Sequence, residues 1–219
     1  MKLPHVLTQV LLMSKPNSDI VNKTEQFVRE KLNDEATGHD WWHVDRVRNL
    51  ALYIAEQEAE SNTLVVELEA LLHDVADHKF HDGDHEIGPR IAAEHLSDLE
   101  LDNTTIQHVL DCMRVCSYSR GLEPQTLEAA IVQDADRLDA LGAIGIARLF
   151  ATGPHFKQII YTPKESKETQ KTSVGHFYQK IFNLASQMNT GTGKIIAKER
   201  EGYMKKYLDK FYAEWNGTE

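Results

Sequence analysis

Cysteine is scarce in this chain of 219 residues, with only Cys112 and Cys116 present. Their spacing places both on one predicted helix, which is a poor geometry for the disulfide framework that small secreted proteins need. We therefore interpret them as two small packed residues in a reducing compartment. A metal site built by the pair is the alternative.

Long hydrophobic runs are also missing. No segment approaches the roughly 18 consecutive apolar residues of a membrane-spanning helix. The opening stretch MKLPHVLTQVLLMSK is partly apolar, but it has a proline at position 4 and no small-residue cleavage pattern. These absences predict a cytoplasmic protein that does not interact with membranes.

Positive charge is in the minority, since 24 Lys and Arg residues stand against 34 Asp and Glu residues, for a formal net charge of −10. Broad nucleic-acid binding depends on neutralising phosphates with Lys and Arg, so we expect no nucleic-acid partner. A small phosphorylated substrate is still compatible with this charge, because a bound metal ion can reverse the local field.

Strand patterns are rare as well, and Ile159–Tyr161 is the one short candidate. Apolar residues recur at helical spacing almost everywhere else, which predicts an all-α fold. Helices are predicted over residues 18–32, from Asp40 onward, and over 63–73, 85–99, 103–115, 126–151, 173–188 and 190–215. The expected N-caps are Ser18 or Asp19, Asp40 and Asn103. Composition does not shift along the chain, so residues 1–219 are predicted to form one domain.

Two short segments place histidine and aspartate where the helices are apolar. His43 shares a stripe with Val47, Leu50 and Ile54, so its imidazole lies on the buried face. Taken alone, this pattern favours a core histidine over a metal ligand. His73 and Asp74 end a leucine-rich helix, and both could reach one divalent ion there. The alternative for His73 is stabilisation by the dipole at the helix C-terminus.

Three aspartates lie inside the predicted helix 126–151, where ionised carboxylates are costly unless they are paired or bind metal. Asp134 shares its side of the helix with Arg137 and Arg148, which predicts a solvated or ion-paired role. Asp136 and Asp139 fall on an otherwise apolar row. A cation in the core would explain these two.

A histidine, an adjacent His-Asp pair and a distant aspartate occur in order in WWHVDRV, LLHDVAD and DADRLDALGAIG. This series resembles the HD superfamily of metal-dependent phosphohydrolases. The likeness is greatest to a bacterial subgroup similar to nucleoside triphosphate pyrophosphohydrolases, and it extends to HKFHDGD, IYTP, HFYQKIFNLASQMNT and AEWNG. It implies a single HD-domain helical bundle, with the metal-site core at about 38–150 and C-terminal helices at about 172–215.

The resemblance also implies a ligand set. His43, His73, Asp74 and Asp136 would bind one divalent metal ion. Mn²⁺, Mg²⁺, Fe²⁺, Co²⁺ and Ni²⁺ all suit such nitrogen and oxygen ligands, and Mn²⁺ is favoured. Asp139 would hold one of the ligands or an arginine in place.

The implied activity is release of pyrophosphate from (deoxy)nucleoside triphosphates. The alternatives are a nucleoside monophosphatase, a cyclic-nucleotide phosphodiesterase, or a regulatory module that binds metal or nucleotide without turnover. Asp77 is the expected general base, because HD enzymes that hydrolyse guanosine tetraphosphate carry an acidic residue at the matching place. The next residue is acidic in those enzymes and is His78 here, which makes that substrate less expected.

Five residues are candidate contacts to the substrate, and each could have a structural role instead. Surface or packing roles compete with binding for the five candidates, which are Arg46, Lys79, Tyr161, His176 and Lys180. The nucleotide substrate is the expected partner, and a homodimer is left open.

Overall fold

The computed structural model describes residues 15–32, 40–58, 60–76, 81, 83–117, 120–163 and 171–218. These residues are mainly helical, which confirms the all-α prediction. At the strand candidate there is an isolated parallel bridge between Ile159 and Thr172 rather than a strand. None of the described helices is long and apolar enough to span a membrane.

The chain divides into two compact units, Met1–Gln133 and Asp134–Glu219. The predicted single-domain organisation stays a prediction. The first unit contains α1 (Lys15–Lys31), α2 (Trp41–Gln57), α3 (Thr63–Leu72), α4 (Ile87–Asp98), α5 (Asn103–Cys116) and most of α6 (Leu127–Asp139). The second contains α7 (Gly142–Thr152), a 3₁₀ turn (Gly153–Phe156), α8 (Ser173–His176), a π-helical turn (Phe177–Ile181), α9 (Phe182–Ala185) and α10 (Gly191–Trp215). Helix α1 thus begins earlier than the expected Ser18 or Asp19.

Side-chain caps fix where the helices of the first unit begin. Asp40 caps α2 as predicted, because its Oδ1 accepts a hydrogen bond from the backbone N–H of His43 at 2.9 Å. The predicted cap at Asn103 is wrong by one residue. Asp102 has the extended backbone of a cap, and its Oδ1 accepts from Thr105 N at 2.9 Å. Asn103 is therefore the first residue inside α5.

The predicted helix 126–151 is two helices, so that prediction is wrong at its centre. Helix α6 ends at Asp139, and α7 begins at Gly142 after an extended Leu141. Gly142 has a φ of +76°, a left-handed conformation that glycine adopts without steric penalty. Arg200 lies over the break and donates from Nη1 to Leu138 O at 2.6 Å. The predicted apolar row that includes Asp139 therefore ends with α6, at Asp139.

Within the described part of the chain, Asp134 is buried and hydrogen-bonded rather than solvated or ion-paired, which corrects the sequence prediction. Its side chain is buried and accepts four hydrogen bonds of 2.8–2.9 Å, from the backbone N–H and side chains of Asn189 and Thr190. Burial raises the pKa of Asp134, and the four hydrogen bonds oppose that rise. Thr190 is also the N-cap of α10, so the carboxylate lies at the favourable end of that helix dipole.

Helix α3 is the centre of the first unit, because α1, α2 and α5 all pack against it. Every residue from 65 to 72 is buried, including two glutamates. Glu67 accepts hydrogen bonds from Arg48 Nε at 2.9 Å and Nη2 at 2.6 Å, and Arg48 Nη1 donates to Glu25 at 2.7 Å. Burial alone would raise the pKa of Glu25, but hydrogen bonds from Arg48 and Arg29 hold it below its usual value.

Glu69 is buried without such a partner. Its side chain is 0 % exposed, and among the described residues only the Cys112 thiol, a weak hydrogen-bond donor, lies close enough to its carboxylate to affect it by hydrogen bonding. Burial raises the pKa of Glu69 well above its ordinary value, the neighbouring Cys112 thiol opposes the rise, and the Glu128 carboxylate adds to it. Burial therefore favours the protonated form of Glu69 in the folded protein. Cys112 and Cys116 are both buried, which agrees with their predicted packing role.

We expect Glu69→Gln to become more stable than the wild type as pH rises. Because the pKa of Glu69 is raised on folding, the folded protein holds this proton to a higher pH than the unfolded chain does. The wild-type free energy of unfolding therefore falls, relative to a neutral side chain, by about 1.4 kcal/mol per pH unit between the unfolded and folded pKa values. Urea unfolding with a chelator present, from about pH 5 to about pH 8, measures the widening difference.

Glu67→Gln is the matched control on the same helix. It weakens the pairing with Arg48 and should lower stability at every pH tested. Parallel stability curves for wild type and Glu69→Gln would show that Glu69 is ionised in the folded state.

Candidate metal centre

His43 enters the core of the first unit from the first turn of α2. The Asp40 cap fixes where that turn begins, and Val47 and Ile54 on the same face are fully buried. The imidazole is accordingly only 1 % exposed. A ring buried this deeply needs a partner for its polar nitrogens.

His73 and Asp74 directly follow Leu72, the last residue of α3. The backbone N–H of His73 still donates to Glu69 O at 2.8 Å, so His73 keeps the position of the next helical residue. The chain then leaves the helix. Because the chain changes direction here, the polar atoms of the two adjacent side chains lie on the same side and close together.

Three side chains converge there. His43 Nε2 lies 3.3 Å from His73 Nε2 and 3.5 Å from Asp74 Oδ2, and His73 Nε2 lies 3.9 Å from Asp74 Oδ2. The two imidazole rings are inclined at 66°. Within the described ranges, this is the group of three or more His, Cys, Asp or Glu side chains that could share an ion.

The triangle of ligand atoms has the right size for a metal ion. Sides of 3.3, 3.5 and 3.9 Å define a circle with a radius of about 2.1 Å, which matches the roughly 2.0–2.2 Å of His and Asp bonds to zinc-sized divalent metals. Two imidazole nitrogens and a carboxylate oxygen suit a divalent first-row metal. The three side chains therefore fit the ion that the sequence predicts.

A backbone carbonyl sets the protonation of His73. Its Nδ1 lies 2.8 Å from Ala70 O, and a carbonyl oxygen can only accept, so Nδ1 carries the proton and donates. In the neutral ring, Nε2 then keeps its lone pair facing His43 and Asp74. Sequence reasoning missed Ala70, because no side-chain pattern indicates a backbone acceptor.

The other predicted residues near the metal motif have different positions. Asp136 is half-buried on α6 and belongs to the second unit, so its role as the fourth ligand stays a prediction. Asp139 is buried, and its Oδ2 accepts a hydrogen bond from Arg148 Nη1 at 2.5 Å. Arg46 is half-buried one turn after His43 on α2. Asp77 and Lys79 lie outside the described residues.

The remaining candidate substrate contacts lie in the second unit. The Tyr161 ring is 5.4 Å from that of Tyr212 and 5.1 Å from that of Trp215. His176 ends α8, and Lys180 lies in the π-helical turn, a feature that is frequent at functional sites. Burial lowers the pKa of His176, and Lys180 lowers it further. Their roles in substrate binding stay predictions.

Comparison with known proteins matches the HD domain family to residues 41–141. The protein YpgQ of Bacillus subtilis is 35% identical over 190 residues, which cover 83% of this chain and 87% of YpgQ. A crystal structure of an HD-superfamily hydrolase from Bacillus thuringiensis has a TM-score of 0.78 and 38% identity, over 91% of this chain and 98% of that one. YpgQ crystallised in complex with ADP has a TM-score of 0.76 and 30% identity in the structural alignment, over 91% and 96% of the two chains.

We expect Asp74→Ala to abolish metal retention while the protein stays helical. Removing the carboxylate leaves two imidazoles and takes away the negative charge that balances a cation. Metal content after dialysis, measured by mass spectrometry, should fall from stoichiometric to near zero. Added metal should raise the melting temperature of the wild type but not of the variant.

Asp98→Ala, at an exposed position at the end of α4, is the control and should keep the metal. Asp136→Ala belongs in the same series and should also lose metal if Asp136 is the fourth ligand. Stoichiometric metal in Asp74→Ala would exclude this centre as the binding site.

Proposed function

Because this chain belongs to the HD domain family of metal-dependent phosphohydrolases, we propose that it acts on nucleotides and releases pyrophosphate from (deoxy)nucleoside triphosphates. The observation that carries the nucleotide assignment is the ADP complex of YpgQ, a relative that covers 91% of this chain. The preference for triphosphates rests on the wider resemblance of the sequence. The fit of His43, His73 and Asp74 to an ion supports the metal dependence of the same reaction.

The proposed metal site consists of His43, His73, Asp74 and Asp136, with Mn²⁺ as the favoured ion. When bound, such an ion supplies positive charge that offsets the phosphoryl oxygens and makes a water molecule more acidic. The hydrogen bond to the Ala70 carbonyl fixes the His73 tautomer in which the Nε2 lone pair is available to bind the ion. Asp139 holds Arg148, and we propose that this pairing keeps the C-terminal end of α6 rigid behind Asp136.

Asp77 is the proposed general base. The attacking water oxygen forms a bond to the α-phosphorus, its proton passes to the Asp77 carboxylate, and the bond between the α-phosphorus and the bridging oxygen breaks. The products are a nucleoside monophosphate and pyrophosphate. The proposed phosphate contacts are Arg46, Lys79, His176 and Lys180, and Tyr161 is the proposed aromatic contact.

A nucleotide screen with each candidate metal tests the proposed function. We expect Mn²⁺ to support conversion of a (deoxy)nucleoside triphosphate into monophosphate and pyrophosphate, with products separated by anion-exchange chromatography. Release of phosphate from monophosphates would instead indicate a nucleoside monophosphatase. Opening of cyclic nucleotides would indicate a cyclic-nucleotide phosphodiesterase. Binding without turnover under every metal would indicate a regulatory module.

We expect Asp77→Asn to keep the metal and to lower kcat by about 100-fold or more, because the amide cannot take a proton from the attacking water. Metal content and initial rates, measured on the same preparation, separate this effect from loss of the ion. Asp84→Asn is the control, since Asp84 is partly exposed and pairs with Arg90 on the surface. A wild-type rate in Asp77→Asn would show that Asp77 is not the general base.

A further inference from the structure

Two adjacent tryptophans at the start of α2 have opposite environments. Trp41 is 7 % exposed, and the Arg29 guanidinium lies 4.0 Å from its ring centroid. Trp42 is 62 % exposed, more than any other large apolar side chain described in the first unit. The Trp41 indole thus belongs to the core, whereas the Trp42 indole presents most of its surface to solvent.

Trp42 immediately precedes the metal-facing His43, and helix geometry orders their neighbours. Measured around the α2 axis from Trp42, Arg46 lies at about 40° and His43 at about 100°. The Arg46 side chain therefore originates between the indole and the imidazole, about 6 Å along the axis from Trp42. An exposed aromatic ring, a guanidinium and a metal-facing nitrogen follow one another around the first two turns.

This order matches the parts of a nucleotide. A base is a flat aromatic ring that stacks on indole whatever its hydrogen-bonding pattern, and such stacking changes affinity by about tenfold to 100-fold. The phosphates carry the negative charge that Arg46 complements. The phosphoryl group that reacts must lie at the metal. One ligand can thus occupy all three positions.

We propose that the indole of Trp42 stacks on the base of the bound nucleotide and makes the centre selective for nucleotides over polyphosphates that lack a base. This inference rests on the proposed function, in which a nucleotide is the substrate. It adds the residue that recognises the base, which the metal motif alone does not supply.

The test compares Trp42→Ala with the wild type, using a nucleoside triphosphate as substrate and inorganic tripolyphosphate as a competing inhibitor. We expect the KM for the nucleotide to rise about tenfold or more, while the inhibition constant of tripolyphosphate changes less than about twofold, because tripolyphosphate has no base to stack. Trp42→Phe should recover most of the nucleotide affinity. Metal content and circular dichroism of each variant report on the integrity of the centre.

Tyr53→Ala is the matched control. Tyr53 is 49 % exposed on the same face of α2, but it lies about 16 Å further along the axis, beyond the reach of a nucleotide held at His43. An unchanged nucleotide KM in Trp42→Ala would overturn the inference, and so would an equal loss of tripolyphosphate binding. Failure of the wild type to bind or hydrolyse any nucleotide would instead refute the proposed function, and the inference with it.

Discussion

The Arg48 guanidinium joins α1, α2 and α3, and the geometry of the candidate metal centre depends on that contact. Arg48 lies five residues after His43 on α2, and its partner Glu67 lies six residues before His73 on α3. The ion pair therefore fixes the register of the two helices that carry the imidazoles. Removing one member of a buried pair leaves an uncompensated charge at a cost of about 3–5 kcal/mol. A shift of either helix by a fraction of a turn would also break the 3.3 Å approach of the two rings.

The free-energy cost of burying an ionisable side chain is offset in different ways along this chain. Glu67 pairs with a guanidinium, and Asp134 accepts four hydrogen bonds at a helix N-terminus. Burial raises the pKa of Glu69 and so favours its neutral form. The side chains of His43, His73 and Asp74 are close enough to share a cation, which would offset the cost of their burial. Each arrangement follows from which partner the fold places next to the ionisable group.

The charge of the chain makes the proposed substrate a demanding ligand. A protein with a formal net charge of −10 repels a triphosphate at long range. Positive charge is therefore needed locally. A divalent ion would offset the charges of Asp74 and of the proposed ligand Asp136, so that these carboxylates do not repel the phosphates. Arg46 adds a guanidinium on the adjoining face of α2. Base stacking on Trp42 would contribute affinity that does not depend on charge, which is useful in an acidic protein.

Short sequence patterns were enough to predict the fold class, the start of α2 and three residues of the candidate metal centre. Apolar spacing gave the all-α fold, and Asp40 gave the start of α2. The first two motifs of the family resemblance gave His43, His73 and Asp74, which converge at the candidate centre. The helices and the Asp40 cap depend on residues within one or two turns of each other, and helical periodicity records such relations directly. The ligand set was implied by the resemblance instead. The continuous helix predicted across Gly142 failed because apolar spacing does not report a change in the sign of φ.

Tertiary structure alone decided the partners of the buried polar groups. Asp134 receives its donors from residues 55 and 56 positions later, and Arg48 meets Glu67 across two helices. The raised pKa of Glu69 follows from burial without a cationic partner among the described residues. The His73 tautomer follows from a carbonyl whose direction only the folded backbone sets. A hydrogen bond or an ion pair acts over about 3 Å in space, and sequence spacing carries no information about that distance once the chain has turned.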